Sequence, residues 1–271
     1  MGFESLSRSS TSSVGDVAGL RYPTPQHERA AQAVVRWFEQ QPETQAVLLT
    51  NSCARGKATP DSCLDLLVLA PTESVADLEA AWTRFAVASD EIAELAAAGR
   101  WTELHLDVAD GVFVVRPIDH ELDWLEVEVG NALAYSVPLF HRGERLTQLR
   151  TEWLPFYDDG LRAERLAAAR ATCLGYLDRI PWFLDRELWF QALARVHGAF
   201  QWFLLALHVS RRTYPIAYDK WIREQVVDNL GLPELYARLP RLFEIGRLES
   251  RELEEKAADL RALVDTYLVG P

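Results

Sequence analysis

The sequence predicts an α+β protein, with a mixed sheet and flanking helices followed by a C-terminal helical bundle. Three observations carry this. Two apolar runs of strand length, residues 45–50 and 64–69, lie near the N-terminus with helical periods on either side. After about Pro155 the strand signals vanish and only long helical periods remain. The 271 residues are 49% apolar and 25% charged, an ordinary globular composition with enough apolar side chain to bury a core. The expected organisation is a flexible tail over residues 1–20, an α/β domain over 21–150 and a helical bundle over 151–271.

The elements follow in order. Residues 1–20 are rich in Ser and Gly and lack apolar periodicity, as a tail does. Thr24-Pro25 reads as an N-cap followed by proline at the first helical position. Ala30, Val34, Trp37 and Phe38 mark one face of that helix, which Pro42 ends. Residues 45–50 form a buried strand, residues 51–62 a loop broken by Gly56 and Pro60, and residues 64–69 a second strand. One helix covers 74–98 and stops near Gly99. Residues 102–108 and 112–116 read as a hairpin about Ala109-Asp110-Gly111, and 124–129 alternate as a half-exposed strand does. Helical periods then cover about 160–180, 185–210, 218–229, 233–244 and 249–267. The aromatic density of Trp182, Phe183, Trp189, Phe190, Phe200, Trp202 and Phe203 reads as packing. Leu253, Leu260, Leu263 and Val264 make the last helix amphipathic.

The net charge of −12 disfavours a nucleic-acid partner, because such a partner needs phosphates neutralised by a basic surface. A small cationic substrate suits the acidity. Cys53, Cys63 and Cys173 form neither a metal-ligand spacing nor an even disulfide set, which points to reduced thiols in a cytoplasm. The N-terminus lacks the basic-then-apolar pattern of a secretory signal. The most apolar stretch, residues 200–209, is interrupted by Gln201 and His208, so no membrane partner is expected.

The chemistry concentrates between the two strands. After the first strand comes Asn51-Ser52-Cys53-Ala54-Arg55-Gly56, and then Ser62-Cys63-Leu64-Asp65 opens the second. This resembles the signature of the nucleotidyltransferase superfamily, whose members include DNA polymerase beta and the two-domain kanamycin nucleotidyltransferase. The usual form is Gly-Ser, Ala-Arg-Gly, about six residues, then Ser-Asp-x-Asp. Ser52, Ala54, Arg55, Gly56, Ser62 and Asp65 match at that spacing. The position of the signature glycine holds Asn51, which tolerates left-handed backbone angles. The position of the first Asp holds Cys63, a thiol where Mg²⁺ prefers hard oxygen. Asp61 lies two positions earlier and shares Cys63's face only if the strand begins there.

The resemblance implies a fold, a metal and a reaction. Residues 21–150 become a nucleotidyltransferase-like domain, with the bundle closing its cleft. Asp65 and Asp107 become the catalytic carboxylates and Mg²⁺ ligands; the third acid is not fixed by the residues, with Asp107 first and Glu128 and then Glu126 as its competitors. The metal site is weakened by Cys63. Asn51, Ser52, Arg55 and Lys220 become nucleotide-binding residues, with Lys57, Arg211, Arg212 and Tyr218 nearby. His197, Gln201 and His208 share one helical face, read as a structural contact. The implied reaction is Mg²⁺-dependent transfer of a nucleoside monophosphate from an NTP to a hydroxyl of a small-molecule acceptor, such as an aminoglycoside-like antibiotic. The alternative is a catalytically degenerate protein of the same fold that binds a nucleotide or another protein. The oligomeric state is left open.

Overall fold

In the computed structural model, which describes residues 20–119 and 121–268, Thr24 caps the first helix, accepting from the His27 amide, and Pro25 opens it. The tail expected over 1–20 lies, Leu20 apart, outside the described residues. The chain divides into two units. One holds the residues up to Val112 together with Asn131–Thr151, and the other holds Phe113–Gly130 together with Glu152 onward. Residues 113–130, which local pattern assigns to the first domain, thus belong with the helical part.

The first unit is built on four strands in the order β3-β2-β1-β4. β1 (Ala46–Leu49) runs antiparallel to β2 (Leu64–Leu69) and to β4 (Val137–His141), while β3 (Leu104–Ala109) runs parallel to β2. The sheet is therefore mixed, as expected. Val47 and Leu49 of β1, Leu64, Leu66 and Val68 of β2, and Val108 of β3 join one core with Ala30, Val34 and Phe38 of α1 (Pro25–Glu39). Burying Phe38 completely contributes roughly 1.5–3 kcal/mol. Because side chains alternate across a strand, Asp65 and Leu67 and, in register beside them, His105 and Asp107 project from the opposite face.

Several expectations need correction. The loop after β1 contains one helical turn, α2 (Asn51–Ala54). The single helix over 74–98 is two, α3 (Val75–Ala88) and α4 (Asp90–Ala98). Ser89 leaves helical geometry between them and its hydroxyl caps the second, accepting from the Ile92 amide. No hairpin forms at 102–116. Residues 104–109 pair in parallel with β2, and 112–116 take no regular structure. Residues 125–129 are helical (α5, Leu125–Val129), passing into a π-helical turn at Gly130–Ala134. β4 and α6 (Arg145–Trp153) were not anticipated.

The second unit is helical. α7 (Asp159–Asp178), α8 (Ile180–Leu184), α9 (Trp189–Ser210) and α11 (Glu252–Tyr267) pack together, with the short α10 (Pro233–Tyr236) and a 3₁₀ turn at Pro240–Phe243 between the last two. Residues 202–209 of α9 are buried on every side, as the central helix of a bundle must be. Trp202 and Phe203 are core, as read from the sequence, but Trp182 and Phe190 are exposed. No described helix is long and apolar enough to cross a membrane. The three cysteines are free thiols.

Candidate functional site

The β1–α2–β2 segment places the signature residues. Asn51 adopts φ +53°, the left-handed region in which the signature carries glycine. The turn therefore forms with asparagine in that place. The amide of Lys57 donates to the Ser52 carbonyl at 2.9 Å, and Gly56 follows at φ +66°. Ser52 and Arg55 are half-buried on this turn. Ser62 closes the loop, accepting from the Thr59 amide at 2.9 Å.

A contact that local pattern does not reveal holds the loop in place. His27, wholly buried on α1, donates from Nε2 to the Ser62 carbonyl at 2.9 Å. In the neutral ring the other nitrogen then accepts from the Thr24 hydroxyl, 2.8 Å away. The residue before Cys63 is thereby tied to the first turn of α1.

Asp65 and Asp107 share a face. Asp107 pairs in register with Leu67, two positions along from Asp65. The residue in register with Asp65 is His105. Its Nδ1 lies 3.2 Å from Asp65 Oδ1 and its Nε2 3.3 Å from Glu103 Oε2. Burial disfavours the charged ring, but the hydrogen bonds to Glu103 and Asp65 outweigh it and raise the His105 pKa above its usual value. With a carboxylate at each nitrogen, the form that satisfies both is the imidazolium. An imidazole, its pKa raised by that contact, thus faces the carboxylate that the resemblance assigns to a metal. Sequence reasoning passed over His105 and Glu103, although both stand at alternate positions beside Asp107.

The donor set does not suit Mg²⁺. The side chain two positions before Asp65 is the Cys63 thiol, whose Sγ lies 3.4 Å from the Trp101 carbonyl. The neighbour of Asp65 is an imidazole, and Mg²⁺ takes near-octahedral oxygen. No group of three His, Cys, Asp or Glu side chains among the described residues is placed to hold a metal ion. Asp61 does not substitute, because it stays in the turn, exposed, before β2 begins at Leu64.

The remaining predicted residues belong to the helical unit. Glu128 is exposed on α5 rather than on a strand. Glu126 is fully buried, its Oε1 2.5 Å from Arg165 Nε. Lys220 is exposed on the loop after α9, while Tyr218 is buried and no part of a basic edge. Arg212 pairs with Asp159. His208 is buried and His197 exposed, so the three polar positions of α9 share no single environment.

Comparison with known proteins adds little. No protein-family model matches the chain. No curated protein matches it either. Eight chains of solved structures match, among them the crystal structure of a nucleotidyltransferase-like protein from Exiguobacterium sibiricum 255-15. That structure is 17% identical over 88% of this chain and 74% of its own length, with a TM-score of 0.46, and at those values it does not assign the chain to a family.

Proposed function

We propose that this chain is a degenerate nucleotidyltransferase-type protein that binds a nucleotide at the β1–β2 turn and does not transfer it. The observation that carries this reading is the His105–Asp65 contact at 3.2 Å, with Cys63 in place of the other acid. Ser52 and Arg55 on the left-handed Asn51 turn would receive the phosphates, where successive backbone N–H groups make an anion-binding concavity. With Asp65 engaged by the His105 ring and a thiol in place of the second acid, the pair offers a cation few free oxygen ligands, so the reading expects binding that does not depend on Mg²⁺.

The second reading is Mg²⁺-dependent transfer of a nucleoside monophosphate to a hydroxyl of a small molecule. It is favoured by Asp65 and Asp107 sharing one face of β2 and β3. Calorimetric titration with ATP, GTP, CTP and UTP, each with and without Mg²⁺, separates the two. Micromolar binding of one nucleotide, unchanged by Mg²⁺ and lost in Ser52→Ala, supports the degenerate reading. Binding that appears only with Mg²⁺ favours the transferase, and no binding of any nucleotide overturns both.

A further inference from the structure

The helical unit contains a cavity that the nucleotide reading does not use. It is an open pocket of about 300 Å³ between α9, the loop carrying Asp219, α10 and the turn at Pro240–Phe243. Phe200 and Phe243 form an aromatic wall, edge to face with centroids 5.3 Å apart. The His197 ring lies 6.1 Å from that of Phe243. Tyr236 and Leu239 continue the lining, Asp219 supplies its one carboxylate, and no Lys or Arg among the described residues lines it.

That chemistry selects a class of ligand. Aromatic faces carry negative charge density and attract cations, the more so when the cation sheds water. The Asp219 carboxylate forms no ion pair among the described residues and adds attraction of the same sign. A phosphate or carboxylate ligand would meet a like charge with no Lys or Arg in the lining to offset it. The volume is about twice the roughly 150 Å³ that holds benzene, so one ring and an ammonium head fit.

We propose that this pocket binds an organic cation, with its ammonium head against the exposed Phe243 ring and toward Asp219 and its apolar body along the rest of the lining. The site is formed by residues of the helical unit alone and stands independently of the nucleotide reading.

The test is calorimetry on the full chain with benzyltrimethylammonium, and with benzyl alcohol and benzenesulfonate as neutral and anionic counterparts. The cation should saturate one site with a Kd below about 1 mM, and both counterparts should bind at least about tenfold more weakly. Asp219→Asn and Phe243→Ala should each weaken the cation at least about fivefold while far-UV circular dichroism stays unchanged. Asp219 is exposed, so its variant keeps the test valid if Phe243→Ala fails to fold. Absence of saturation by the cation, equal binding of benzyl alcohol, or unchanged affinity in Asp219→Asn overturns the proposal.

Discussion

Nε of Arg165 lies 2.5 Å from Oε1 of Glu126, and the two side chains are only 2% and 0% exposed. Arg165 Nη2 also reaches Glu126 Oε2 at 2.7 Å and Asp123 Oδ2 at 2.9 Å, and the Tyr157 hydroxyl donates to Glu126 at 2.8 Å. Every strong donor and acceptor in the cluster has a partner, and α5 is held to α7 by it. Removing one charge strands the other in a medium that cannot solvate it. Glu126→Gln and Arg165→Met should each lose about 3–5 kcal/mol in urea unfolding. Glu126→Leu combined with Arg165→Met should recover part of that loss, because the fully buried pair is gone and the remaining carboxylate, Asp123, is 21% exposed and can reach water.

His208 predicts an acid sensitivity. Complete burial pushes its imidazole pKa down to about 3. The folded value lies below the unfolded one, so the unfolded chain takes up the proton first. Stability is intact above about pH 6.5 and falls by up to about 1.4 kcal/mol per pH unit as pH drops toward the folded value. Unfolding free energies measured from pH 7 to pH 4 should show this slope, and His208→Leu should flatten it.

His105 predicts the opposite sign. Its raised folded pKa means that its contacts with Asp65 and Glu103 contribute fully below the unfolded value near 6.5. That contribution is lost as pH rises through the folded pKa. The ring is 54% exposed, so solvent screening keeps the effect below about 1 kcal/mol. NMR titration should place the His105 pKa above that of a free histidine, and Asp65→Asn should lower it. An unchanged value in Asp65→Asn would mean that the contact does not form in solution.

Gln225 predicts the order of the loop that carries Lys220. The wholly buried amide accepts from the Ile216 N–H at 2.8 Å and donates to the carbonyls of Ala217 and Lys220, each at 2.9 Å. Gln225→Leu removes three hydrogen bonds to the backbone and should cost at least about 2 kcal/mol. Hydrogen exchange at the Ile216 amide should accelerate in the same variant.

Asn51 predicts how the signature turn responds to substitution. At φ +53°, a β-branched side chain meets the following carbonyl. Asn51→Val should lose about 1–2 kcal/mol, whereas Asn51→Gly should stay within about 1 kcal/mol of the parent. Thermal unfolding of the two variants checks this, and equal losses would show that the left-handed geometry is not what the position requires.

Where local pattern succeeded, the cause was local. Thr24 caps because its hydroxyl reaches an amide three residues on. β2 alternates because only one of its faces meets α1. The structure assigns Glu126, a candidate metal ligand from its sequence alone, to a buried ion pair with a residue 39 positions later. It gives Asp65 a neighbour 40 positions away that no spacing rule selects. Residues 112–116 have strand composition but find no partner strand, and 125–129 alternate like a strand yet close helical hydrogen bonds.

By itself the sequence determined the α+β class, the first two strands and the helical second half. Each of these rests on periodicity or on a backbone preference expressed within a few residues. Tertiary structure alone decided that β3 joins β2 in parallel, that residues 113–130 belong to the helical unit, and that an imidazole occupies the place opposite Asp65. These depend on which distant groups offset the cost of desolvating one another. That balance is struck only when the chain closes and has no signature in neighbouring residues.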